Sequence, residues 1–125
     1  MALTNAGRNF IAQAIINDSP TFFTNANSRL GIGDSTTAFA VGQTDLQATT
    51  NKLRKVMDST YPQRTNNELT FKSTFTTNEA NFAWNEWAVF NAASSGTMLN
   101  RKVANLGVKS SGTWSLTVTL AVTAS

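Results

Sequence analysis

From Trp114 to Val122 the chain alternates: Trp114, Leu116, Val118, Leu120 and Val122 are apolar, and Thr113, Ser115, Thr117 and Thr119 are polar. A period of two predicts a strand with one face buried and the other in water. Glu68 to Phe75 carries the same pattern, with Leu69, Phe71 and Phe75 on one side and Glu68, Thr70, Lys72 and Thr74 on the other. A third signal is the stretch Phe82 to Val103. Its two apolar-rich arms flank Ala92-Ala93-Ser94-Ser95-Gly96, a run of small residues suited to a hairpin loop.

The N-terminus has a different period. Phe10, Ile11, Ala14 and Ile15 recur at helical spacing behind Thr4, which predicts a capped helix from Thr4 to about Asn17, packed on a sheet and stopped by Pro20. Arg29 to Gly33 reads as a short strand with both glycines on one face, leaving room for another element to approach. Asp34 to Gln43 reads as loop, and Thr44-Asp45-Leu46-Gln47 as a capping box opening a helical turn. Lys52 to Met57 fits an edge strand whose cations discourage stray pairing. Tyr61 to Asn67 and Thr76 to Asn81 read as turns. No internal repeat is present. One helix followed by mainly antiparallel strands predicts a mainly β fold, a small antiparallel β-sandwich with one N-terminal α-helix, for which α+β is the neighbouring label. The length of 125 residues fits a single domain, 1–125.

Composition narrows the chemistry. With no Cys and no His, thiolate and imidazole nucleophiles and zinc ligands are excluded, and no disulfide staples the fold. The expectation is no catalytic residue, no cofactor and no metal. Asp34-Ser35-Thr36 with Asp45 is the one oxygen-rich cluster, and turn and cap roles explain it better than a hard cation does. Gly31-Ile32-Gly33 lacks the third glycine and following helix of a phosphate loop. Glu79 and Glu86 are the only pair considered for acid/base chemistry, and their spacing defines no gap between carboxylates. Glu86 lies among Trp84, Trp87 and Phe90, so it must either reach solvent or find a partner. The better reading is a buried anchor to an arginine such as Arg101, or to backbone N–H groups.

The net charge is +3, but only Lys52, Arg54 and Lys55 cluster, which weighs against a nucleic-acid groove. Arg8, Asn9 and Gln13 interrupt the N-terminal apolar residues, so neither a signal peptide nor a membrane span is expected there. Asn17-Asp18-Ser19 matches a glycosylation acceptor only formally.

Five segments carry a resemblance: the opening TNAGRNFIAQAI helix, LGIGDS, the TDLQ turn, the FAWNEWAVFN arm and the GTMLNRKV arm. Together they resemble the N-terminal domain of phage tail-collar fibre proteins, in which a Gly- and Asp-bearing segment and a Trp/Glu strand occupy similar places. Ala88 stands where the family tends to have glycine, and the family usually continues into a fibre region where this chain ends in TVTLAVTAS. The resemblance implies a non-enzymatic part of a tailed-phage virion, assembled in the host cytoplasm: a tail, collar or baseplate adaptor. A capsid decoration protein is the first alternative, and a carbohydrate-binding module touching host glycan the second. Other virion proteins and further copies of the chain are the expected partners. Trp84, Trp87, Arg101 and Lys102 are candidate contact residues, with Lys52, Arg54 and Lys55 as a second patch and Glu86 as a structural anchor. Trp84 and Trp87 differ in parity and so face opposite sides of a strand, which places one in the core.

Overall fold

The computed structural model describes residues 2–124. The helix α1 (Asn5–Ile15) precedes seven strands: β1 (Arg29–Gly33), β2 (Lys52–Val56), β3 (Gln63–Thr65), β4 (Glu68–Phe75), β5 (Glu86–Phe90), β6 (Met98–Val103) and β7 (Trp114–Ala121). Two antiparallel sheets form, a four-stranded one in the order β2-β1-β5-β6 and a three-stranded one in the order β3-β4-β7. The fold is therefore mainly β, a small sandwich with one N-terminal helix.

The predicted alternation places the core. Phe71 on β4 and Val118 and Leu120 on β7 meet Leu30 and Val89 from the other sheet, with Met57 and Leu99 completing the cluster. A second cluster joins Ile32, Phe75, Ala80 and Trp84. On the wet face of the three-stranded sheet, hydroxyls pair across strands, Thr70 with Thr119 at 3.5 Å and Thr74 with Ser115 at 3.2 Å.

Three boundaries depart from the sequence expectation. Thr4 caps α1 as predicted, its hydroxyl accepting from the Gly7 N–H at 2.9 Å. The helix nevertheless stops at Ile15, well before Pro20. Asn17 adopts φ 53°, and the N–H groups of Asn17 and Asp18 donate back to Ala14 and Gln13, closing the end with a local motif. The predicted apolar face is only partly used. Gly7 lies against the Leu99 backbone, where a Cβ would sit 3.1 Å from Leu99 Cα, while Ile15 beyond the contact is 79% exposed.

The segment Tyr61 to Asn67, read as turn, contains β3, which hairpins onto β4 through Arg64 and Leu69. The hairpin of Phe82 to Val103 forms, but its first arm begins at Glu86. Before that, Ala83 makes an isolated bridge to Val108, and the Trp84 N–H and carbonyl bond to Gly107 and Leu106.

Candidate functional site

The most constrained polar arrangement lies on the outer face of the four-stranded sheet. In β1, Leu30 and Ile32 point into the sandwich, so Gly31 and Gly33 face outward. Across the sheet, Gly31 is in register with Ala88 and Arg54, Gly33 with Glu86 and Lys52, and Arg101 with Ala88. Glu86 and Arg101 are thus diagonal neighbours on one face. The glycines leave space above the sheet, which the Phe90 ring, Leu46 and the Glu86 carboxylate fill.

Residues 34–51, between β1 and β2, form no regular element and fold back over this face. That is longer than the roughly 12–15 residues an ordinary loop reaches. Leu46 drops into the outer face and packs with Ala88, Phe90 and Met98. Below it, Glu86 and Arg101 are both fully buried and joined at 2.7 Å.

The carboxylate of Glu86 accepts three hydrogen bonds. Oε1 takes Arg101 Nε at 2.7 Å and the Gln47 N–H at 2.8 Å, and Oε2 takes the Ala48 N–H at 2.8 Å. Arg101 carries the connection onward, donating Nη1 to Gln43 Oε1 at 3.1 Å and Nη2 to the Thr37 carbonyl at 2.9 Å. One buried ion pair therefore holds the long loop at Thr37, Gln43, Gln47 and Ala48. Both expected anchors of Glu86, an arginine and backbone N–H groups, are present together.

This clamp also explains why TDLQ forms no helical turn. The Gln47 and Ala48 N–H groups, which a helix would leave for its own cap, are taken by Glu86 from the opposite strand. Asp45 turns instead to Leu46 N–H at 2.8 Å and Arg54 at 3.2 Å. Burial raises the Asp45 pKa, but the Leu46 N–H, Arg54 and Lys52 outweigh it and leave the carboxyl below its ordinary value. Asp34 accepts from Asn51 at 2.9 Å, and Ser35 caps the Thr37 N–H at 3.1 Å. Ser35 and Asp45 thus bond nearby backbone N–H groups as turn residues are expected to, whereas Asp34 ties to a side chain seventeen residues away. Among the described residues no group of three or more Asp, Glu, His or Cys could hold a metal ion, and no helix is long and apolar enough to cross a membrane.

The contact candidates separate by position. Trp84 is buried, edge-on to Phe75 and Trp114, with Nε1 donating to the Ala80 carbonyl at 2.9 Å. Arg101 is buried in the clamp. Neither offers a surface to a partner, because each side chain's polar group is satisfied inside the chain. A two-tryptophan platform does not exist. Trp84 precedes β5, and Trp87, opposite Ile32 on the inner face of β5, is half-buried against both core clusters, so the two do not face opposite sides as strand parity predicted.

The second patch divides by strand parity. Arg54 lies on the outer face, its guanidinium 3.5 Å from the Phe90 ring centroid and bonded to the Ala92 and Ser95 carbonyls. Lys55 points to the opposite side and binds Glu79 at 2.7 Å. Lys52 and Lys102 are exposed. Glu79 and Glu86 consequently serve opposite faces of the sheet, each with its own cation, and do not form a carboxylate dyad.

Glu79 supplies a pH-dependent tie. Lys55 first, then the Thr76 N–H and hydroxyl, bring its pKa from 4.5 down to about 2. A carboxylate held below its unfolded value adds stability above pH 4.5, and that contribution disappears as the pH falls toward 2. Thermal melts of wild type and Glu79→Gln should therefore differ at neutral pH and converge as the pH approaches 2. A constant difference across that interval would contradict the tie.

No protein-family model matches the chain, and no curated protein matches it.

Proposed function

We propose that this protein is a non-enzymatic structural component of a tailed-phage virion, a tail, collar or baseplate adaptor held by repeated contacts with other virion proteins. The observation supporting this reading is the convergence of the five segments that carry the resemblance. Gly33 of LGIGDS makes room for Glu86 of the FAWNEWAVFN arm. Glu86 binds Arg101 of GTMLNRKV and the Gln47 N–H of TDLQ, and Gly7 of the opening helix rests on Leu99. Segments distant in sequence thus build one clamped unit.

Such a unit suits assembly. The loop over the outer face is ordered before any partner arrives, so binding does not have to supply its ordering entropy. Its stretch from Thr36 to Gly42 carries no charge, and Val41 within it is 50% exposed. In a symmetric particle, modest contacts of this kind multiply. Glu79 and Glu86 are each engaged by a cation.

The test is to purify particles induced from the strain that encodes the chain and to quantify the protein in separated tail and capsid fractions by mass spectrometry. Low copy number confined to tails is the expected result. Stoichiometric occupancy of capsids with raised heat resistance would reassign it to decoration, and absence from purified particles would end the virion reading.

A further inference from the structure

The two sheets have four edges, and three of them are guarded. β2 carries Lys52, Arg54 and Lys55. β3 is only three residues long. The N-terminal segment covers the start of β6, with Leu3 bridging to Asn100 and the Thr4 N–H donating to the Leu99 carbonyl, and Arg101 and Lys102 follow. Short strands, charges and covering segments are the devices by which proteins prevent strand pairing at an edge.

β7 has none of them. Its eight residues WSLTVTLA contain no charge, glycine or proline, and no charged residue occurs from Ser110 to Ser125. All eight are in register with β4, and residues 114–121 make no backbone hydrogen bond elsewhere among the described residues. In an antiparallel ladder alternate backbone groups point to opposite sides, so the other edge of β7 presents a row of N–H and C=O groups with no partner.

We propose that this edge pairs with β7 of a second copy of the chain, antiparallel across a two-fold axis, joining two three-stranded sheets into one. Two observations select a second copy as the occupant. The chain carries a net charge of +3, and its uncharged C-terminal strand is where two copies approach without repulsion. The wet face of β7 also presents Ser115, Thr117 and Thr119, and two of these already pair with the hydroxyls of β4. A second β7 offers the same hydroxyl spacing as β4 without the charge of Lys72.

The neighbouring cleft supports the same closure. It encloses about 400 Å³ between β6 and β7, and its lining includes Trp87, Asn100, Lys102 and Thr119. Asn100 is 2% exposed, and its Oδ1 has no hydrogen-bond partner. A two-fold axis normal to the joined sheet sets the two clefts mouth to mouth, where a group of the second copy can reach this acceptor. This interface does not depend on the virion reading, since it follows from the edge alone.

The wild-type chain should sediment in a concentration-dependent equilibrium between 13.5 kDa and twice that mass. At high concentration, amide hydrogen exchange should slow selectively within residues 114–121. Thr117 faces outward on β7, and the two-fold registers that keep wet face beside wet face make the two Thr117 side chains opposite or diagonal neighbours. Thr117→Lys and Thr117→Glu should each weaken self-association at least tenfold, and mixing the two should restore the dimer. A wild-type chain that stays monomeric up to about 1 mM, the weak end of specific association, would overturn the proposal. So would a dimer that persists in both variants, or one whose formation leaves the exchange of 114–121 unchanged. A monomeric chain still present in purified particles would sink this interface and leave the virion reading standing.

Discussion

Replacing Glu86 with Ala is expected to lower the free energy of unfolding by about 3–5 kcal/mol, the cost of stranding one member of a buried ion pair. Three donors lose their acceptor together: Arg101 Nε and the N–H groups of Gln47 and Ala48. Arg101 is fully buried and cannot turn to solvent without dragging Thr37 and Gln43 with it. Set against a total stability of about 5–15 kcal/mol for a domain, the loss is large. Denaturant unfolding of wild type, Glu86→Ala and the double variant Glu86→Leu/Arg101→Met would measure it. The double variant should recover part of the loss, because an apolar pair of similar volume removes the uncompensated charge. Proteolysis within residues 34–51 should accelerate in Glu86→Ala. Unchanged stability and unchanged cleavage would show that the clamp does not hold the loop.

Gly33→Ala, a change of one methyl, should cost about 2–3 kcal/mol through overpacking. The new Cβ would lie 2.9 Å from Glu86 Cδ and closer still to Oε2. Three hydrogen bonds hold that carboxylate, so it cannot swing aside as a free side chain would. Gly42→Ala is the control: nothing lies within 4 Å of a Cβ there, and its effect should be small. Combined with Glu86→Ala, the Gly33 substitution should become much less damaging, since the group it strikes is gone. Additive losses in the double-mutant cycle would mean that Gly33 is needed for some reason other than Glu86.

The strands that alternate most clearly, β4 and β7, were legible in the sequence because half-burial imposes a period of two on composition. The capping role of Thr4 was legible for a related reason: its partner, the Gly7 N–H, is only three residues away. TDLQ forms no helical turn, contrary to its capping-box pattern, because the group that takes its Gln47 N–H is Glu86, 39 residues away on β5, and Arg54 on the next strand draws Asp45 aside. The exposed contacts expected at Trp84 and Arg101 failed similarly. Their residue types suit a surface anchor, but each is enclosed by partners, Phe75 and Trp114 in one case and Glu86, Gln43 and Thr37 in the other.

By itself the sequence determined the mainly β architecture, the capped helix, the absence of thiol and imidazole chemistry and the choice facing Glu86 between solvent and a partner. These follow from local periodicity, from neighbours a few residues apart, or from composition, and none requires knowing which strands meet. Only the tertiary structure decided that the long loop folds back over the outer face, that one ion pair holds it at four residues, and that β7 is the edge left unguarded. Each depends on strand order and register, which bring together residues far apart in the chain through contacts that no local pattern encodes.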